Sequence, residues 1–219
     1  MIPETLGALA LSMMLSLPAR AHVQDFSETD KPRLERIAED IAFAAEQWDG
    51  APFTGSGRKE ALVGALVALA WHESSGFDEK VEQCRLTGDR YGKAEHEGAS
   101  ITMWQLHAGN SWAGYKRHQL CGYGLHTISF IDEMPTPPST GIVATNQLAP
   151  MLAVRVLYRQ KSINKVTRVR GWFNGYASGS PSRGRKEGGI RCGTWEWLTG
   201  RAGLKTSCKG DGDIVWDLP

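Results

Sequence analysis

The stretch ALVGALVALAW, residues 61–71, is an almost unbroken apolar run, followed at once by His72 and Glu73. A segment of this length that is apolar on nearly every face predicts a helix buried at the centre of the fold, here residues 58–73. Glu73 then carries an ionisable carboxyl at the last turn of that helix. Burial and the negative end of the helix dipole both favour the protonated acid, which is the form that a general acid requires. The alternative is a solvated residue at an ordinary helix end, with Gly76 stopping the helix.

The rest of the chain is typical of a mainly α fold with a helical core and at most a small β element. Asp30 and Pro32 are typical of a helix start, and apolar residues recur at helical spacing after them. Helices are expected at residues 30–48, 58–73 and 146–161, with shorter ones at 103–113, 166–173 and 194–201. Loops or hairpins are expected at residues 121–141 and 178–189, and residues 74–100 have no convincing period.

Length and composition indicate one ordinary globular domain. The chain has 219 residues, of which 41% are hydrophobic and 22% charged. Residues 1–21 resemble a secretory leader, because a short apolar stretch precedes Pro18-Ala19-Arg20-Ala21, a small-x-small cleavage pattern. The leader lacks a basic N-terminal region, so an uncleaved anchor or a misassigned start codon are the alternatives. The catalytic domain is expected at residues 22–219, without a stable membrane span once the leader is removed.

The four cysteines indicate disulfides in an exported protein. An even count in such a chain predicts two bridges, and three pairings are possible. Their order favours Cys84 with Cys121 in one part of the domain, and Cys192 with Cys208 in a stapled C-terminal tail. A zinc site is the alternative, but no Cys-x-x-Cys spacing supports it. We therefore expect a periplasmic or secreted protein.

The charge is divided along the chain although the net charge is only +1. Residues 25–97 hold 16 acidic and 9 basic side chains, whereas residues 155–209 hold 13 basic and 2 acidic ones. A basic half of this kind suits an anionic polymer such as the bacterial cell wall, or is simply a solvated face. We expect no nucleic-acid partner, because the basic residues belong to no recognisable nucleic-acid-binding module.

Three blocks of sequence occur in a suggestive order. Glu73-Ser74 ends the buried helix, Thr102-Met103-Trp104-Gln105 follows about thirty residues later, and Phe173-Asn174-Gly175-Tyr176-Ala177 comes last. Together they resemble the lysozyme-like lytic transglycosylases, which cut bacterial peptidoglycan. In that family a Glu-Ser pair ends a buried helix, a Gly-x-x-Gln block lines the cleft and a Tyr-Asn or Tyr-Ala block closes the site. Here Thr102 stands where the family usually has glycine, and Phe173 lacks a hydroxyl, so Tyr176 is the better match.

The resemblance implies a lysozyme-like fold, in which a small irregular or β lobe lies beside a substrate cleft. It also implies a function and a role for each matching residue. The expected reaction is cleavage of the β-1,4 bond between N-acetylmuramic acid and N-acetylglucosamine, giving 1,6-anhydro products with one catalytic carboxyl, Glu73. Tyr176 would orient Glu73 through its hydroxyl, or be an ordinary core aromatic. The residues expected at the substrate are Ser74, Met103, Trp104, Gln105 and Asn174. Met103 and Trp104 would stack on sugar rings or belong to the core. The expected partners are glycan strands of peptidoglycan, and a cell-envelope assembly or secretion machine is a further possibility.

Two other classes of function stay open. A hydrolase related to goose-type lysozyme would need a second carboxylate, for which Asp89 and Glu97 are the candidates unless they belong to a solvated loop. A catalytically silent wall-binding protein on the same fold is the other alternative. We expect no cofactor and no metal: the pair His72-Glu73 would begin a zinc-protease motif only if a second histidine stood at position 76, which is Gly76.

Overall fold

The computed structural model describes residues 5–18, 26, 28–85, 100–107, 115–121, 123–136, 141–178 and 185–217. Within these ranges the protein is mainly helical with three pairs of short antiparallel strands, as predicted. The α-helices are α1 Leu6–Ser16, α2 Lys31–Gln47, α3 Arg58–Glu73, α4 Glu79–Glu82, α5 Arg117–Cys121, α6 Thr145–Ser162, α7 Val169–Ser178 and α8 Arg185–Arg201, with a 3-10 helix at Ile131–Glu133. The paired strands are β1 Ser100–Ile101 with β2 Leu106–His107, β3 Leu125–Thr127 with β4 Ile142–Ala144, and β5 Leu204–Lys205 with β6 Val215–Trp216.

Helix α3 lies at the centre of the core, and its bounds are those predicted from the apolar run. Every residue from 61 to 70 is buried, and α1, α2, α6 and α8 pack around it. A close approach occurs at Gly64, where an added Cβ would lie 2.7 Å from Thr199 Cγ2 of α8. Trp195 of α8 donates its indole N–H to the Ala61 carbonyl at 2.9 Å. These contacts pack α8 against α3, and the pairs Glu73–Arg191 and His72–Thr194 place the middle of α8 beside the end of α3.

Helix α1 falls within the segment predicted to be a leader, and it packs on α2 and α3. Its buried face consists of Gly7, Leu9, Ala10, Met13 and Met14. Because this face is apolar, its contact with the core removes a substantial apolar area from water. Among the helices of the described ranges, none combines the length and the hydrophobicity that crossing a bilayer demands.

Three of the predicted elements were wrong in their extent. The helix expected at 103–113 is a turn at residues 102–105 followed by β2, because Thr102 and Gln105 adopt φ values of +65° and +49°, which an α-helix excludes. Residues 108–114 lie outside the described ranges. Helix α7 starts three residues later than predicted, because the N–H groups of Val169 and Arg170 donate to Gly210 and Cys208 of the C-terminal segment.

The third error concerns α8, which was predicted as a loop over 178–189 and a short helix over 194–201. It begins at Arg185 and runs for 17 residues. Gly188 explains how it packs: a Cβ there would lie 2.6 Å from the Cα of Asn174, so glycine allows the backbones of α7 and α8 to touch. Tertiary packing thus stabilises a segment whose own helix propensity is low.

Both predicted disulfides are confirmed. Cys84 is bonded to Cys121, which joins the segment after α4 to α5, and Cys192 is bonded to Cys208, which joins α8 to the C-terminal segment. Because the Cys208 carbonyl accepts a hydrogen bond from the N–H of Arg170, the second disulfide also ties α8 to the start of α7.

Candidate functional site

The end of α3 is fixed by its own backbone and by Ser74. The Ser74 hydroxyl donates to the Ala70 carbonyl at 2.6 Å and accepts from the N–H of Phe77 at 2.8 Å. Ser75 then adopts φ +57°, and the N–H of Gly76 returns to the Trp71 carbonyl at 2.9 Å. This pattern is typical of a helix that stops with a left-handed residue. Ser74 is fully buried, so its place in the structure is that of a helix cap that holds Glu73 at the final turn.

Glu73 forms an ion pair with Arg191 of α8. Its Oε1 accepts a hydrogen bond from Arg191 Nε at 2.7 Å, and the two side chains are 14% and 13% exposed. A guanidinium at this distance favours the carboxylate, whereas burial and the helix end favour the acid. The guanidinium and the buried helix end therefore have opposite effects on whether Glu73 holds its proton.

Tyr176 lies beside this ion pair. It is buried, and its hydroxyl donates to the Trp104 carbonyl at 2.7 Å. Burial raises the pKa of Tyr176 well above its usual value; the negative charge of Glu73 raises it further, and the positive charge of Arg191 partly offsets the increase. The phenol therefore keeps its proton and acts as a hydrogen-bond donor. The hydrogen bond from its hydroxyl to the Trp104 carbonyl holds the turn that leads to Gln105.

The turn at residues 102–105 is hydrogen-bonded to both α3 and α7. The indole N–H of Trp104 donates to the Leu66 carbonyl of α3 at 3.1 Å, while the carbonyl of the same residue accepts from Tyr176. Thr102 adopts the left-handed conformation that favours glycine, with φ +65°. The Gln105 side chain is half-buried and donates from Nε2 to the Thr102 carbonyl at 2.9 Å.

The other predicted substrate residues belong to the interior. Met103 and Trp104 are 4% and 3% exposed, so the structure places them in the core and not on an open sugar-stacking surface. Asn174 is 6% exposed and lies under Gly188 at the contact between α7 and α8. Asp89 and Glu97 lie outside the described residues. Glu73, Tyr176 and the turn bearing Gln105 are therefore the predicted residues that the structure brings together.

A cavity of about 380 Å³ is lined in part by the turn at residues 102–105. Its described lining includes Thr102, Met103 and Trp104, but not Glu73. The polar groups in its wall bind one another: Asn146 Nδ2 donates to Asp40 Oδ1 at 2.5 Å, and Arg36 bonds to Glu82. Because Glu73 does not line this cavity, the cavity is not the candidate site.

His72, next to Glu73 in the chain, contacts Thr194 of α8. Its Nε2 lies 2.8 Å from the hydroxyl of Thr194, a second contact between the end of α3 and α8. Within the part of the chain that the structure describes, no group of three or more histidine, cysteine, aspartate or glutamate side chains has an arrangement suited to a metal ion.

Arg191 is the site residue that the sequence did not reveal. It stands 118 positions after Glu73, in a glycine-containing stretch that was expected to be near a loop. A helical register for residues 185–201 would have placed Arg191, Thr194, Trp195 and Leu198 at helical spacing, and that was the signal available.

No known protein family, no curated protein and no solved structure was found to match this chain.

Proposed function

We propose that this protein is a lytic transglycosylase that cleaves peptidoglycan strands between N-acetylmuramic acid and N-acetylglucosamine, with Glu73 as its catalytic carboxyl. One observation carries the proposal: Glu73, at the last turn of a buried helix, is paired with Arg191 and lies close enough to Tyr176 to affect its pKa, and Tyr176 is bonded to the turn of Gln105. These groups come from four distant segments of the chain. A carboxyl placed in this way suits proton transfer to and from a bound substrate.

The reaction needs only one carboxyl. In its acid form Glu73 gives a proton to the glycosidic oxygen while the bond from that oxygen to C1 of the muramyl residue breaks. The resulting carboxylate then takes the proton from the C6 hydroxyl of the same muramyl residue, while the C6 oxygen bonds to C1. One C–O bond is broken and one is formed, no water is consumed, and Glu73 regains its proton.

Arg191 and Tyr176 have supporting roles in this scheme. Arg191 stabilises the carboxylate that remains after the first proton transfer. Tyr176 holds the Trp104 carbonyl and so fixes the turn from which the Gln105 side chain reaches the substrate. The two disulfides support a location outside the cytoplasm, because such bonds persist in oxidising compartments. We therefore assign the protein to the periplasm or the extracellular space as part of the proposal.

The proposal is tested by mass spectrometry of the soluble products released from purified peptidoglycan. The wild-type protein is expected to release 1,6-anhydro-muropeptides. The substitution Glu73→Gln is expected to reduce release by about 100-fold or more, because general acid–base catalysis contributes roughly 10²–10⁴ in rate. A matched control is Glu60→Gln, in the first turn of the same helix and roughly 20 Å away along its axis.

Each of the other outcomes identifies a different function. Products with a reducing end would indicate a hydrolase and direct attention to Asp89 and Glu97. Binding to the wall without any product would indicate a silent wall-binding protein. If Glu73→Gln kept substantial activity while remaining folded, the assignment of Glu73 would be wrong.

A further inference from the structure

The ion pair between Glu73 and Arg191 is held by rigid parts of the fold. Arg191 is followed by Cys192, whose disulfide to Cys208 anchors this part of α8. One turn later Trp195 is fully buried and bonded to the Ala61 carbonyl of α3. The backbone that follows Arg191 is therefore held by the disulfide and by the contact of Trp195 with α3, and this packing supports the 2.7 Å contact between Arg191 Nε and Glu73 Oε1.

The described charges around Glu73 come from three helices. On α3 itself, His72 is engaged with Thr194. From α7, the phenol of Tyr176 stays neutral because burial raises its pKa. From α8, Arg191 contributes a positive charge in direct contact, and Glu187, one turn earlier, is exposed to solvent. Arg191 therefore stabilises the carboxylate directly, since the attraction between two charges is strong at short distance and away from water.

We propose that Arg191 is a positioning residue that sets the pH range in which Glu73 works. It acts through Glu73: it fixes Oε1 in place and stabilises the carboxylate, so that Glu73 is a stronger acid and loses its proton at a lower pH. This inference rests on the proposed function. It assigns to Arg191 the control of a proton that burial alone would retain up to a higher pH.

The test is the pH profile of kcat/KM for release of anhydro-muropeptides. In Arg191→Met, which removes the charge and keeps an unbranched apolar side chain, the alkaline limb is expected to move up by about one pH unit or more, because an adjacent opposite charge shifts a carboxyl by roughly 1–3 units. At the wild-type optimum kcat is expected to fall about tenfold, since the acid is weaker and less well placed. Arg191→Lys keeps the charge and should restore the wild-type limb while kcat stays reduced.

The matched control is Arg201→Met, which removes an exposed arginine that packs over Trp197 on the same helix. It should leave both the limb and kcat unchanged. A uniform loss of activity at every pH in Arg191→Met, with the limb unmoved and the protein folded, would overturn the proposal and leave Arg191 a structural residue. If Arg191→Met does not fold, Arg191→Lys decides: reduced kcat with unchanged KM supports positioning, and wild-type kcat overturns it.

A measurement without substrate separates this inference from the proposed function. Carbon-13 NMR can follow the Glu73 carboxyl through a pH titration, with Glu73→Gln used to assign its signal. The Glu73 signal is expected to titrate at a higher pH in Arg191→Met than in the wild-type protein. Equal midpoints would refute the electrostatic role of Arg191. A higher midpoint in a protein that releases no products would refute the proposed function alone.

Discussion

At the scale of single residues, Glu73 shows what sequence reasoning reaches and where it stops. The apolar run and the polar pair after it predicted the helix, its end and the position of the carboxyl. The partner was not predicted, because the contact joins residues 118 positions apart and depends on how α8 packs on α3. Local patterns specify where a side chain lies on its own element, whereas a contact between elements is set by tertiary packing. The buried position of Asn174 was not predicted for the same reason, whereas Met103 and Trp104 take the core position that the sequence had left open as an alternative.

Removing the hydroxyl of Tyr176 tests its bond to the turn. In Tyr176→Phe the Trp104 carbonyl loses a buried donor, so the free energy of unfolding is expected to fall by about 1–3 kcal/mol. Catalytic activity should fall as well, because the turn bearing Gln105 is held less firmly. Urea unfolding and product release measure the two effects. Tyr158→Phe is the matched control, in half-buried surroundings on α6. Unchanged stability in Tyr176→Phe would show that the hydroxyl bond is unimportant.

Asp40 makes the stability of the protein depend on pH. Burial raises its pKa from 3.8 to about 6, although the hydrogen bond from Asn146 and the charge of Arg36 oppose the increase. The folded state therefore holds this proton more tightly than the unfolded chain, and the free energy of unfolding contributed by Asp40 decreases as pH rises from about 4 to about 6.

We expect Asp40→Asn to be more stable than the wild-type protein at pH 7, by about 1–3 kcal/mol, because one pKa unit corresponds to about 1.4 kcal/mol. The difference should vanish near pH 4, where the wild-type carboxyl is protonated. Urea unfolding of both proteins at several pH values measures it. Asp78→Asn, at the N-cap of α4 outside this cluster, serves as the comparison. A stability difference that does not change with pH would contradict the assignment to Asp40.

At the scale of secondary-structure elements, prediction succeeded where one element has a clear apolar pattern. Helices α2, α3 and α6 lie within one or two residues of their predicted bounds, because a buried stripe or an all-apolar run repeats over several turns. Helix α8 has no such pattern: it contains Gly188, Gly189, Gly193 and Gly200, and it exposes Trp197. Its helical state depends on contacts with α3 and α7 that only the folded chain contains.

Two adjacent residues of α1 test whether its packing contributes to stability. Met14 is fully buried and Leu15 is 51% exposed. In the full-length chain, Met14→Ala is expected to lower the free energy of unfolding by about 2–5 kcal/mol, because it removes buried methylene groups and leaves a cavity. Leu15→Ala should change it by no more than about 0.5 kcal/mol. Urea midpoints measure both, and equal effects would show that α1 does not pack as the structure places it.

At the scale of the whole molecule, the two disulfides close loops that stabilise different regions. Cys84–Cys121 spans 37 positions and ties the segment after α4 to α5, whereas Cys192–Cys208 spans 16 positions and ties α8 to α7. The order of the cysteines along the chain favoured this pairing among three possible ones, but the helices that the disulfides join became clear only from the fold.

Replacing each cysteine pair by serine should separate stability from activity. Loop entropy predicts a loss of about 4 kcal/mol without Cys84–Cys121 and about 3 kcal/mol without Cys192–Cys208. The second variant is expected to lose more activity at a temperature where both remain folded, because its disulfide adjoins Arg191. Thermal melts and product release measure this. Equal activity in both variants would show that the disulfide does not support the site.

The long separation between the members of the site has a consequence for biosynthesis. Glu73 pairs with a residue 118 positions later, and the Tyr176 hydroxyl bonds to a carbonyl 72 positions earlier. At translation rates of about 5–20 residues per second, the ribosome makes Arg191 roughly ten seconds after Glu73. A nascent chain, or one terminated before residue 191, therefore contains Glu73 without Arg191. The candidate site is therefore complete only after the ribosome has passed residue 191.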